Sequence, residues 1–409
     1  MIPYSRQLIE QDDIEAVTQV LRSDFLTQGP AGESFESALT SYTGARYAVL
    51  FSSGTAALHA AHFAAGVGKG DEVITSPITF AATSNAALYL GATPVFVDVE
   101  SDTGNMDVES FEQAITPRSK AVVPVHYGGH PVDLKAISLV AKESGLVVIE
   151  DACHALGAEY RTTGSRGRGV EGPSEAQRPR LETGDDWIKI GSCEYSDMTV
   201  FSFHPVKQIT TGVGGAVLTN RSDYYEKLCQ FRTHGITKDP SKFRLQNHEP
   251  DGDWYYEMHA LGFNYRISDI QAALGMSQLR KLDRFVSRRR EIAERYETAF
   301  TSNPLFATPP ERSYAKSSYH LYPIRLSDEL RRNKSEIFSA LRKAGTGVQV
   351  HYIPVYLHPY YREMGYKPGI CPAAEEFYQR EISIPLHQGM DNETVDTVIK
   401  SLRRSLNNG

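Results

Sequence analysis

From residue 47 to about 152, short β-branched runs alternate with stretches of helical spacing. YAVLFSS (47–53) leads into GTAALHAAHFAAG and DEVITSP (71–77) into FAATSNAALYLG. TPVFVDV (93–99), KAVVPVHY (120–127) and GLVVIEDA (145–152) follow, separated by turns and usually a helix. Continuous apolar strands returned by helices predict an α/β sheet that is largely parallel and covered on both faces. Strands resume at MTVFSFH (198–204) and GGAVLTN (214–220). A chain of 409 residues is long for one core, so two domains are expected, and 41% hydrophobic residues supply ample apolar material.

After ISDIQAALGMSQL (267–279), helical spacing runs on through RRREIAERYETAF, whose charges read as a solvated face. A strand HLYPIRL (320–326), a helix KSEIFSALRKAG (334–345), a strand VQVHYIPV (348–355) and a helix from Asn392 follow. The expected division is a large domain over 1–285 and a smaller C-terminal α/β domain over 286–409. Residues 161–193, rich in Gly, Arg and Pro, break the rhythm and read as a surface loop inserted in the large domain.

Several classes are disfavoured. A net charge of −7 argues against nucleic acid as the main partner. Cys153, Cys193, Cys229 and Cys371 are scattered with no CxxC pair, which fits a reducing cytoplasm and gives no metal signal. The start, MIPYSRQLIEQDD, lacks a signal-peptide pattern, and no apolar run approaches the roughly 20 residues of a membrane span. The expectation is a soluble cytoplasmic protein.

Ligands of open α/β sheets gather at the carboxyl ends of strands, so the residues there matter most. They are Ser52-Ser53-Gly54-Thr55, Thr79-Phe80, His126, Asp151 and Ser202, with Lys207 a few residues later. SSGTAALHAA reads either as an ordinary helix cap or as a phosphate cradle, where small residues and a helix N-terminus admit an anion. No GxGxxG or GxxxxGK[ST] is present, which disfavours dinucleotide and P-loop readings. Asp151 could be a structural hydrogen-bond partner, a metal ligand or the partner of a pyridinium nitrogen, which needs only one carboxylate. Phe80 could be core, or could stack on a flat ring. Lys207 could be a solvated loop lysine or one that forms a Schiff base. Jointly, these features match the requirements of pyridoxal 5'-phosphate, with Gly212, Gly214 and Gly215 allowing a tight turn beside Lys207.

FSFHPVK, SSGTAALH, SPITFAAT, EDACHALG and GFNYRISDIQAALG resemble, in order, motifs of the DegT-type sugar-nucleotide aminotransferases. The resemblance runs over almost the whole chain. It implies the fold-type I architecture of pyridoxal-phosphate transferases (aspartate aminotransferase-like), a homodimer with shared active sites, and a pyridoxamine phosphate form during turnover. Within the family, LTQGP (26–30) and SSYHLYPI (317–324) resemble members that make a UDP-linked 4-amino sugar for pseudaminic acid biosynthesis. The implied partners are L-glutamate and a UDP-keto-sugar; other members use GDP- or dTDP-linked sugars.

By this resemblance Lys207 holds the cofactor, Asp151 faces its ring nitrogen and Phe80 stacks on the ring. Thr55 and Ser202 hold the phosphate, and Asn264 reaches over from the other subunit. Gly54 and His154 fall among the cofactor-binding positions. Tyr4, Leu26, Thr27, Gly54, Ser202, Asn264, Tyr319, His320, Leu321 and Tyr322 match positions of the sugar-nucleotide pocket. His351 lies in a family motif without an assigned role. Two features depart from the pattern: Val213 stands where the family usually has glutamate, and the 161–193 stretch is longer than usual. One rival reading is the related sugar dehydratases, in which a histidine replaces the lysine. The other is a non-catalytic cofactor-binding regulator of the same fold.

Overall fold

The structure, a computed structural model, describes residues 1–161, 187–245 and 252–407. The alternating pattern becomes β1 (Tyr47–Phe51), β2 (Glu72–Thr75), β3 (Thr93–Phe96), β4 (Ser119–Val123) and β5 (Val147–Asp151). Beyond β6 (Glu159–Arg161) and β7 (Trp187–Lys189) come β8 (Met198–Ser202) and β9 (Gly215–Thr219). Seven of these form one sheet in the order β1-β9-β8-β5-β4-β2-β3. β9 pairs antiparallel with both β1 and β8; the pairs from β8 through to β3 are all parallel.

The sheet is buried on both faces, and the period of two sorts its side chains. Ala48 and Leu50 of β1 enter one core, with Val122, Val148 and Phe201. Val49 and Phe51 enter the opposite core, with Val123, Ile149 and Val200. That second core is capped by the helix Gly54–Ala64, whose Ala56, Ala57, Ala60, Ala61 and Ala64 allow close packing on the strands.

A third core gathers residues from 292 to 406 around an antiparallel sheet of Phe306–Ala307, Tyr322–Leu326 and Glu381–Ile384. The helix Leu282–Phe300 contributes to two cores. Leu282, Phe285 and Val286 pack with the first, and Ile292, Ala293, Tyr296 and Phe300 with the third.

Four expectations change. The helical run after 267 is two helices, Asp269–Leu279 and Leu282–Phe300, separated at Arg280-Lys281. Its charged face is not wholly solvated: Arg289 is fully buried, donating to Gln388 Oε1 at 3.0 Å and to the carbonyls of Tyr319 and Leu386 at 3.1 Å. VQVHYIPV is not a strand, for only Gln349 bridges to Ser383, and the His351 N–H turns instead to the Glu381 carboxylate at 2.8 Å. The expected loop 161–193 includes a strand, since Trp187–Lys189 pairs with Glu159–Arg161 and Trp187 lies between Arg161 and Lys316, 4.4 and 4.2 Å from its ring. Residues 162–186 of that loop lie outside the described residues. Among the described residues, no helix is long and apolar enough to cross a membrane.

Candidate active site

A cavity of about 830 Å³ opens where β1, β2, β5 and β8 end, the position expected of a ligand site in such a sheet. Its wall includes Tyr4, Gly54, Thr55, Phe80, Asp151, His154, Ser202 and Lys207. The cavity thus unites eight predicted residues that are far apart in sequence.

β1 delivers the first group. Ser53 caps the following helix, its side chain accepting from the Ala56 N–H at 3.0 Å. Gly54 is required by close approach: a Cβ there would lie 2.9 Å from Ser202 Cβ and 3.1 Å from its Oγ. Gly215 is likewise fixed, since its Cβ would meet Ser53 O at 2.6 Å and Gly54 Cα at 2.8 Å. Strand and helix N-terminus are therefore locked together beside Thr55 and Ser202. No acidic side chain occupies the first turn of that helix, so its partial positive charge is left for an anion.

β5 ends in Asp151, only 4% exposed. Its Oδ2 accepts from Thr83 Oγ1 at 2.6 Å and its Oδ1 from the Cys153 N–H at 3.2 Å. Thr83 Oγ1 also meets Thr79 Oγ1 at 2.8 Å. Phe80, in the loop after β2, presents a ring that is 64% exposed at the cavity wall.

β8 leads into the Lys207 loop. The Phe203 N–H donates to Gly214 O at 2.9 Å, the Thr211 N–H to Phe203 O at 3.0 Å and the Lys207 N–H to His204 O at 2.9 Å. Gly212 adopts φ 77°, a left-handed conformation that glycine takes without strain. Gln208 anchors the loop from behind, donating to His154 O and to Ser318 Oγ. Lys207 Nζ has no hydrogen-bond or ion-pair partner among the described residues. Burial lowers the Lys207 pKa, opposed by the neighbouring Cys153 and Asp151 side chains.

His154 is buried, with Nε2 3.1 Å from Tyr352 Oη and its ring 4.3 Å from that of His320. Burial, with Lys207 nearby, holds both imidazoles well below the usual histidine pKa. Val213 is half-exposed at the cavity wall, its carbonyl held by Thr211 Oγ1 at 2.8 Å and Gln271 Nε2 at 2.6 Å.

Other predicted residues stand apart from this cavity. Leu26, Thr27 and Asn264 are exposed elsewhere, Thr27 bridging to Ser268 and Asn264 to Thr233. Tyr319 and Tyr322 line a different cavity beside Arg290 and Glu297, while His320 and Leu321 are buried. Conversely, Thr83, Cys153, His351 and Tyr352 belong to the site but carried no role in the sequence reading. The i,i+4 pair Thr79/Thr83 was the one available signal for Thr83, placing two hydroxyls on one turn.

The DegT/DnrJ/EryC1/StrS aminotransferase family model matches residues 7–403. The chain belongs to this family. A UDP-4-amino-4,6-dideoxy-N-acetyl-beta-L-altrosamine transaminase from Campylobacter jejuni is 41% identical over 394 residues, covering 96% of this chain and 94% of that one. Helicobacter pylori PseC, an aminotransferase of pseudaminic acid biosynthesis, superposes with a TM-score of 0.87 at 34% identity, covering each chain completely. Spr1654 from Streptococcus pneumoniae, in its PMP form, superposes at 0.86 with 30% identity, again over both whole chains, and its PLP form also matches at 0.86.

DegT/DnrJ/EryC1/StrS aminotransferases depend on pyridoxal phosphate. The residues present fit that group. The side-chain-free approach at Gly54 leaves an anion cradle, Asp151 is a positioned carboxylate, and Lys207 offers an unpartnered amine in the same cavity.

Proposed function

We propose that this chain transfers an amino group from L-glutamate to the C4 keto group of a UDP-linked 4-keto-6-deoxy-N-acetylhexose. The observation that carries the reading is an amine without a protein partner, Lys207, in one cavity with a buried carboxylate fixed by Thr83. Identity over nearly the whole length with a named UDP-amino-sugar transaminase supports the substrate class.

In this reading Lys207 would hold the aldehyde carbon of pyridoxal phosphate, Thr55, Ser202 and the helix N-terminus its phosphate, and Phe80 a face of its ring. When bound, the cofactor supplies an aldehyde that exchanges amines and a ring that takes up electrons from the donor's α-carbon. Asp151 would oppose loss of a proton from the cofactor's ring nitrogen, because a buried anion favours a cation beside it. The Lys207 amine would act as the base for the α-proton of glutamate. Burial assists this by raising the fraction of neutral amine at physiological pH.

The reading extends to assembly. Asn264 is exposed and outside this chain's cavity, as expected of a residue that completes the site of a second copy in a homodimer. Residues 1–285 and 286–409 would form two units sharing the helix Leu282–Phe300, a division supported by its contribution to two cores.

Borohydride reduction of the protein loaded with pyridoxal phosphate, followed by digestion and mass spectrometry, tests the attachment. A pyridoxyl adduct on Lys207, absent in Lys207→Ala, is expected; an unmodified Lys207 sinks the reading. A panel of UDP-, GDP- and dTDP-linked keto sugars assayed with L-glutamate, with product position read by NMR, tests the substrate. Preference for a GDP- or dTDP-linked sugar, or amination at carbon 3, would overturn that part.

A further inference from the structure

His351 lines the cavity from the segment expected to be a strand, and is itself 6% exposed. Its imidazole Nδ1 lies 2.9 Å from Ser383 Oγ. Ser383 Oγ in turn donates to Glu381 Oε1 at 2.5 Å, and Glu381 Oε2 accepts the backbone N–H of His351 at 2.8 Å. Glu381 and Ser383 are both fully buried on one strand. Tyr127 secures the same residue, its hydroxyl donating to His351 O at 2.5 Å.

The hydrogen count of this chain is restrictive. A serine hydroxyl has one proton, and when Glu381 is ionised that proton goes to the carboxylate, leaving only lone pairs toward His351. In that state Nδ1 is the protonated nitrogen. The ring is neutral, because burial and the nearby Lys207 charge lower its pKa to about 3. A neutral ring protonated at Nδ1 carries a lone pair at Nε2. Nε2 has no protein partner among the described residues, and it is not one of the sealed, unpartnered buried atoms. A buried carboxylate is costly to maintain, and burial pushes the Glu381 pKa up while the Lys334 charge opposes that shift.

We propose that Glu381 and Ser383 are positioning residues that fix His351 as its Nδ1–H tautomer, so that Nε2 accepts a hydrogen bond from a hydroxyl or amide N–H of the amino-accepting sugar. The sugar half of this inference rests on the function proposed above; the tautomer half does not. Nothing in it requires His351 to exchange a proton with the substrate.

The test is side-chain nitrogen NMR on holoenzyme labelled at its histidine rings, with the His351 signals assigned by their loss in His351→Gln. The expected spectrum has Nδ1 protonated and Nε2 bare above pH 7, because burial raises the Glu381 pKa to about 7 and the carboxylate is ionised above it. An Nε2–H ring or an imidazolium in the unmutated protein overturns the proposal without any variant having to fold. Ser383→Ala is expected to yield a mixture of tautomers. It should also raise KM for the keto-sugar nucleotide about fivefold, the loss of roughly one neutral hydrogen bond, with kcat and KM for glutamate little changed. Equal effects on both substrates, or a fall in kcat alone, would overturn the sugar contact. Borohydride labelling of Lys207 in the same samples separates the two readings. A missing adduct with an Nδ1–H ring sinks the function and the sugar contact, whereas a present adduct with an Nε2–H ring sinks only this inference.

Discussion

Asp151 illustrates how a single hydroxyl decides whether a buried acid is useful. Its carboxylate is almost sealed from water, and the short bond from Thr83 supplies a charge-assisted donor. Removing that donor while keeping the side-chain volume leaves an anion short of one partner. Such bonds to charged groups contribute about 1.5–3 kcal/mol. Thr83→Val is therefore expected to lower stability by about that amount in urea denaturation and to weaken retention of pyridoxal phosphate. Thr83→Ser, which keeps the hydroxyl, should restore most of both. Unchanged cofactor affinity and an unchanged urea midpoint in Thr83→Val would show that this hydroxyl does not support the carboxylate.

The helix Gly54–Ala64 joins the anion cradle to the core, and its buried face contains a titratable group. His62 is fully buried, with Nδ1 2.8 Å from Leu58 O and Nε2 without a partner. Burial lowers its pKa to about 4, only partly offset by the Leu58 carbonyl. Its folded pKa thus lies below the unfolded value of about 6.5, so the unfolded chain binds the extra proton between those two pH values. The stability this neutral ring contributes is complete above about pH 6.5 and is lost as pH falls toward 4, amounting to roughly 3 kcal/mol. His62→Leu keeps a buried side chain of similar size and removes the proton site. Its melting temperature should fall less steeply than that of the parent from pH 6.5 to 4, and parallel curves would count against the assignment. The strand beneath this helix was legible because its apolar residues alternate between two cores, and the strand ends then yielded Asp151, Ser202 and the Lys207 loop. Residues 348–355 misled because their β-branched pattern satisfies strand propensity, whereas their hydrogen bonds go to the Glu381 side chain and to a single bridge at Ser383. The burial of Arg289 was equally invisible: its partners are carbonyls and one amide from segments 30 to about 100 residues away along the chain. Thr83 escaped notice for the same reason, since its bond to Asp151 spans 68 positions.

At the scale of the whole molecule, three of the predicted residues missing from the cavity, Leu26, Thr27 and Asn264, share one neighbourhood. Thr27 bridges to Ser268, and the Asp269 N–H donates to Leu26 O at 2.9 Å, bringing residues 26–27 against the segment that follows Asn264. Apolar side chains are open to solvent around it, among them Phe25, Leu26 and Leu261, the last 77% exposed. An apolar surface beside polar residues that match a sugar-nucleotide pocket is what a symmetric partner would cover, each copy completing the other's site. Light scattering should then give a mass twice the 45.4 kDa of the chain. Lys207→Ala and Asn264→Ala, each impaired alone, should complement on mixing, because a mixed dimer contains one site with both side chains intact. Random exchange of equal amounts makes half the dimers mixed and restores about a quarter of all sites. Were Asn264 to act within its own chain, no combination of these two variants could assemble an intact site, and activity would stay at the level of the separate proteins.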